Sequence, residues 1–294
     1  MKKVLSLVLI LILVLTVSGC AAQQDDGKIK IVTTIFPEYD FARAVVGANG
    51  HVSMLIPAGS DMHSFEPTAQ DLADISESDL FIYVGGKSDK WVEKVLENIN
   101  KRKTKVLKLS DVVFFGDEGE YDEHIWTSPS NAAKIINAIS ESICEIDAEN
   151  DIFYERNAEK YIDEIVDVAE LTKIVIAAAK HKKIVVADRF PLKYFTEYYG
   201  LEYTAAFGGC EHDTDADVET VAHLINDIKK DKLSAVFHIE LSNKNLAETV
   251  AKSTGAQVIE LHSAHNISAE DYKKGVTYVD IMKRNAYALE KGLN

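Results

Sequence analysis

Residues 147–183 read DAENDIFYERNAEKYIDEIVDVAELTKIVIAAAKHKK, with neither Gly nor Pro. Asp147 and Asn150 stand at the start as candidate caps. Apolar or small residues fall at Ala158, Tyr161, Ile162, Ile165, Val168, Ala169, Val175, Ile176 and Ala179, a 3.6-residue period. About thirty residues of helix span roughly 45 Å, more than one small lobe requires. The spacing therefore predicts one helix that joins two lobes, residues 28–146 before it and 184–294 after it.

On both sides of that helix, strands and helices alternate. In the first lobe, apolar strand signals at 28–34, 52–56, 80–84 and 106–109 are separated by helical spacing at 39–46, 71–78 and 91–99. A further helix is expected at 131–144. In the second lobe, strands are expected at 184–188, 201–206, 235–239 and 257–261. Helices lie between them, and a last one near 278–289 follows Gly275. Such alternation argues for an α/β fold with a mostly parallel sheet in each lobe. The two lobes also open alike. Ile31 to Pro37 and Val185 to Pro191 match at a constant offset that places Phe36-Pro37 on Phe190-Pro191, Phe41 on Phe195 and Thr34 on Asp188. The match reads as a divergent internal repeat.

The first nineteen residues are not part of this fold. Lys2-Lys3 is followed by an apolar run to Val17, shorter than the roughly 20 residues a membrane span needs. The run ends in Val17-Ser18-Gly19-Cys20, which resembles a bacterial lipobox. That predicts a signal peptide at 1–19, cleavage before Cys20, lipidation of its sulfur and a polar tether over 20–27. The body of the protein is then expected outside the cytoplasmic membrane, anchored to it by lipid. The formal net charge of −15 argues against nucleic acid as a partner and is neutral to favourable for the handling of cations. Of the remaining cysteines, Cys144 keeps helical spacing with Ile136, Ile139 and Ile143, and Cys210 lies in a polar loop, so no disulfide framework is evident.

Two histidines share a setting. His63, in Asp61-Met62-His63-Ser64-Phe65-Glu66-Pro67, lies between a strand signal and a helix signal, where open α/β sheets place their ligands. His124, in Glu123-His124-Ile125-Trp126-Thr127-Ser128-Pro129, precedes a Ser-Pro helix start. Two imidazoles on two such loops point to a metal site. The other candidates read differently. Cys210, Glu211 and His212 form a polar loop that could line a cleft or be solvated, and His238 reads as packed beside Glu240. His262 and His265 read as surface residues, with a peripheral metal contact as the alternative.

Together with the long helix and the lipobox, the stretches DMHSFEPT, EHIWTSP, FHIELSNKNLAETVAKSTGA and GVTYVDIMKRN resemble the zinc/manganese-type solute-binding lipoproteins of bacterial ABC transporters (solute-binding family 9, cluster A-I). The resemblance covers nearly the whole chain after Cys20. It implies two Rossmann-like lobes joined by a rigid helix and one divalent metal, Zn2+ or Mn2+, held as transported cargo in the cleft. It also implies a cognate permease with its ATPase as partners, a monomeric receptor and no enzymatic activity. The family supplies two ligands from each lobe. His63 and His124 match the first two. The third is normally a His or Glu after the first strand of the second lobe. Here Asp188 is the only carboxylate in that loop and is the expected ligand. The fourth, often an Asp after the Gly of the last motif, falls on Val276, so Glu240 is the expected replacement.

Two histidines and two carboxylates neutralise a divalent cation and leave zinc first and manganese second, because carboxylate oxygen moves preference toward harder ions. Two rival readings remain. A metal-dependent hydrolase would want an open coordination position and a motif such as HExxH, which is absent. A siderophore- or cobalamin-binding receptor would line its pocket with aromatic or Arg side chains.

Overall fold

A computed structural model of the chain describes residues 26–60, 65–113, 122–209 and 216–294. The signal peptide, Cys20, His63 and the cluster Cys210, Glu211 and His212 lie outside the described residues.

The first lobe holds β1 (Ile29–Thr33), α1 (Phe36–Val46), β2 (Gly50–Met54), α2 (Ala69–Glu77), β3 (Leu80–Tyr83), α3 (Lys90–Leu96), β4 (Lys105–Lys108) and α4 (Pro129–Ile146). The linking helix is α5 (Asp151–Ala178). The second lobe holds β5 (Lys183–Arg189), α6 (Lys193–Tyr199), β6 (Glu202–Phe207), α7 (Val218–Asp231), β7 (Ala235–His238), α8 (Asn245–Thr254), β8 (Gln257–Glu260), α9 (Ala269–Lys274) and α10 (Tyr278–Gly292). No helix among the described residues is long and apolar enough to cross a membrane.

Each lobe has one four-stranded sheet, ordered β2-β1-β3-β4 and β6-β5-β7-β8, and all pairings are parallel. The identical order fits the internal repeat. β1 and β5 are inner strands, Phe-Pro follows each, and Phe41 and Phe195 are both buried on the helix that comes next. Parallel strands buried on both faces explain the continuous apolar runs LFIY and AVFH of β3 and β7.

The linking helix is 28 residues long, so it spans about 42 Å. It starts four residues later than the sequence suggests, because Asp147 leaves helical geometry and 148–150 form a 3-10 turn. The Asp147 carboxylate accepts hydrogen bonds from Asn150 Nδ2 (2.8 Å) and Tyr154 OH (2.6 Å), which holds that turn to the helix. One face of α5 is buried through Tyr154, Ala158, Tyr161, Ile165, Val168, Ala169, Thr172 and Ile176, against α1, α4 and α10. The opposite face exposes Ile152, Val166 and Ile174. The apolar cluster around this helix is continuous from Ile31 and Phe41 in the first lobe to Ile184 and Phe237 in the second. The lobes therefore share a core, in addition to the helix that links them.

Candidate metal centre

A strand ends where its carboxyl-terminal loop begins, and in parallel sheets all such loops lie at one edge. Here the two carboxyl edges face each other. Gly59, Ser60 and His124 from the first lobe meet Arg189, Gly209, Glu240 and His265 from the second around a cavity of about 170 Å³. Every strand of the second sheet sends its following segment or its last residue to this wall.

His124 is 1 % exposed and precedes the 3-10 turn Ile125–Thr127, from which Ser128-Pro129 starts α4. Asp122 fixes its orientation. The His124 backbone N–H donates to Asp122 Oδ1 (2.9 Å), and ring Nδ1 lies 2.7 Å from the same oxygen. Burial works to raise the Asp122 pKa, but the hydrogen bonds and charge of His124, with Lys193 nearby, outweigh it and hold the carboxyl below its ordinary value. A carboxylate only accepts, so Nδ1 donates to Asp122 and Nε2 is the ring nitrogen left to face a ligand. A carboxylate on the far nitrogen is the usual brace of a metal-binding imidazole. The edge of the Trp126 ring supports the other side, with ring centres 5.4 Å apart.

Of the two carboxylates expected from the second lobe, Glu240 lines the cavity and Asp188 lies beside it. Asp188, near the end of β5, accepts from the Arg189 N–H (2.9 Å) and faces the Ile239 N–H at 3.5 Å. It lines a neighbouring hollow with Phe207 and Asn243, and Arg189 and Leu241 line both that hollow and the cavity beside His124. The β5–β6 register shifts between Val186 and Arg189, so the ladder is irregular at this end of the strand. Glu240 does line the cavity, but its carboxylate is engaged. It accepts from the Ser263 N–H (2.8 Å), the Ser263 hydroxyl and the His265 N–H (3.2 Å), with His262 Nδ1 3.6 Å away.

The residue that sequence reasoning placed on the surface is the one that meets His124. The His265 ring lies edge-on to the His124 ring, with centres 5.0 Å apart and planes at 84°. It also packs on Trp126 at 5.1 Å. The signal available in the sequence was positional: the loop after β8 is a strand-end loop, as is the one that carries His63. His262 is buried and accepts from the Ala264 N–H at 2.9 Å, and His238 is buried with Nδ1 2.8 Å from the Ile239 carbonyl, so both are packed into the fold. Gly209 passes close beneath the site. A Cβ there would sit 3.1 Å from Asp122 Oδ2 and 3.5 Å from His124 Cε1.

Among the described residues no group of three or more His, Cys, Asp or Glu side chains is arranged to hold a metal ion. What is arranged is an oriented imidazole from the first lobe facing a second imidazole from the other. The loop that leads to His63 is held against the same cavity, because Asn266 Nδ2 donates to the carbonyls of Pro57 (3.0 Å) and Ser60 (2.6 Å).

Comparison with known proteins agrees with this architecture. The chain is 31% identical over 308 residues to the zinc-binding lipoprotein AdcA of Streptococcus pneumoniae, covering 99% of this chain and 61% of that protein. It therefore spans about three-fifths of that relative's length. It is 28% identical over 291 residues to the high-affinity zinc uptake system protein ZnuA of Bacillus subtilis, covering 94% of this chain and 90% of that one. Among solved structures, the Zn(II)-bound ZnuA-like domain of pneumococcal AdcA superposes with a TM-score of 0.79 at 30% identity, covering 91% of this chain and 99% of that domain. The metal-dependent lipoprotein YcdH of Bacillus subtilis gives a TM-score of 0.81 at 28% identity, covering 90% and 99%. Residues 31–292 match the family described as zinc-uptake complex component A, periplasmic (ZnuA), and the chain belongs to that family.

Proposed function

We propose that this chain is the lipid-anchored, extracytoplasmic solute-binding component of an ABC importer. It captures one divalent transition metal between its lobes and delivers it to a membrane permease. The single observation that carries this reading is His124: a buried imidazole, braced through Nδ1 by Asp122, on the wall of a cavity between the lobes. Family membership and the zinc named for the pneumococcal and Bacillus relatives support zinc as first cargo, with manganese second. Imidazole nitrogen suits both ions, and the Irving–Williams order favours zinc wherever geometry does not discriminate.

The fold limits how capture works. Ligands from both lobes pull the facing loops together. The shared core and the linking helix restrict the response to small tilts and loop rearrangements. Release then requires the permease to distort the site or protons to displace the metal.

The test is a metal titration of the full chain, purified in detergent and stripped with chelator, followed by thermal denaturation. A ligand at one hundred times its Kd stabilises a fold by about 2.7 kcal/mol. Zinc should raise the melting temperature at about one equivalent, and His124→Ala should abolish the rise. If neither zinc nor manganese moves the transition, the receptor reading fails and the siderophore-type reading takes its place.

A further inference from the structure

Resting on that reading, we propose that the cleft takes its metal as a complex with a small chelating carboxylate, of the amino-acid or hydroxy-acid class, and that Arg189 holds the carboxylate. Arg189 ends β5 and lies on the wall of the inter-lobe cavity that His124 also lines. Its guanidinium stays charged at any pH the fold survives. A divalent cation beside His124 therefore shares a small cavity with a fixed positive charge, and the two repel. A site built for a bare cation gains nothing from that group.

The carboxylates around this wall are committed elsewhere. Asp188 accepts through Oδ1 from the Arg189 backbone N–H (2.9 Å), and its Oδ2 faces the Ile239 N–H at 3.5 Å. Glu240 accepts from the Ser263 N–H, the Ser263 hydroxyl and the His265 N–H. Asp122 holds His124. Arg189 Nε is buried and has no hydrogen-bond partner among the described residues. Other part-buried cations of this fold are paired: Arg43 with Asp40, and Lys183 with Asp227 and Asp231. Arg189 thus enters the cavity wall with donors left to give.

Size and charge together select the ligand. The cavity of about 170 Å³ has room for about five waters, more than one metal ion in contact with side chains requires. Among the described residues that line it, Arg189 is the one Lys or Arg, which matches the single charge of a carboxylate better than the double charge of a phosphate. A carboxylate accepts two parallel N–H bonds from a guanidinium. If the same molecule also chelates the metal, its negative charge lies between the two cations and neutralises both. The chelator then completes the coordination that the protein leaves open, and the transported species is the chelate.

The test is equilibrium dialysis of the metal-free full chain with radiolabelled zinc and, in separate arms, radiolabelled L-histidine, citrate or histamine. Histamine chelates through the same imidazole and amine as L-histidine but lacks the carboxylate. Wild type should retain about one L-histidine or citrate per zinc, and neither without zinc. Histamine should be retained about tenfold more weakly or worse, the effect of losing one charge-assisted pair. Arg189→Gln should lose carboxylate retention to the same degree, and Arg189→Lys should recover part of it. With no chelator present, Arg189→Gln should bind zinc more tightly than wild type, because a repelling charge is gone; a merely structural arginine predicts weaker binding and a lower metal-free melting temperature. Wild type that retains zinc without any carboxylate overturns the proposal and leaves the receptor reading standing. Equal retention of histamine and L-histidine, or full retention by Arg189→Gln, also overturns it. Failure of wild type to retain zinc in any arm removes the receptor reading itself.

Discussion

Replacing Asp40 by alanine should loosen the joint between the lobes more than any other single carboxylate change. Asp40 lies on α1 and is 1 % exposed. Its Oδ2 accepts from the Tyr278 N–H at the start of α10 (2.7 Å) and from the hydroxyl of Tyr161 on the linking helix. Its Oδ1 pairs with Arg43, whose Nη2 also donates to the carbonyls of Gly275 (3.2 Å) and Val276 (3.0 Å). One carboxylate thus joins the first lobe, the linking helix and the second lobe. Burial pushes its pKa up, and the charge and hydrogen bonds of Arg43, Tyr161 and Tyr278 recover part of that cost. Removing one member of a buried pair costs about 3–5 kcal/mol, because the groups left behind stay desolvated. The Arg43 side chain is 29% exposed and recovers some solvation, so the low end, about 3 kcal/mol, is the expected loss. At roughly 2–4 °C per kcal/mol, the melting temperature should fall by about 6–12 °C. Equilibrium urea denaturation of the metal-free chain measures the loss. A double-mutant cycle with Tyr161→Phe should give a coupling of about 0.5–3 kcal/mol. A loss below 1 kcal/mol, or no coupling, would refute the assignment of this cluster as the joint.

Two further outcomes follow from the described contacts. Asp89, at the start of α3, is pushed up to about 6 by burial, with Glu123 adding to the shift. The folded chain then binds this proton more tightly than the unfolded chain, whose carboxyl titrates near 3.8. Stability is therefore lost as pH rises from about 4 to 6, by about 3 kcal/mol from this group, and the cost is fully present above pH 6. Asp89→Asn should gain on wild type across that window and be the more stable at pH 7; equal denaturation midpoints at pH 4 and pH 7 would contradict this. Trp126→Phe keeps an aromatic side chain, smaller than the indole, and removes the 2.8 Å bond to the Ser263 carbonyl. It should cost about 1–2 kcal/mol of stability and weaken zinc binding in competition assays, and unchanged binding would mean that this tie does not support the site.

The parts of this architecture that were legible in the sequence depend on short-range signals. The linking helix carries its own period and lacks Gly and Pro over its whole length, so its existence needs no tertiary contact. The parallel sheets follow from strands buried on both faces. The brace on His124 is also local, because Asp122 is two residues away. The second-lobe side of the site is set by distant pairs. Glu240 meets Ser263 across 23 positions and Trp126 meets it across 137. A carboxylate at a strand end reads the same whether it binds a metal or braces a loop, and only the donors around it separate the two. Asp188 and Arg189 are adjacent in sequence, yet the irregular end of β5 leaves Arg189 on the wall beside His124 and Asp188 beside a neighbouring hollow. Where a strand leaves its ladder is not written in its apolar pattern.

Anomalous diffraction at the zinc edge, from crystals grown with zinc, reads out whether His124 holds a metal between the lobes. A single strong peak per chain is expected, about 2.0–2.1 Å from His124 Nε2 and facing the second lobe. No peak at the cleft, or a peak out of reach of His124, would contradict it.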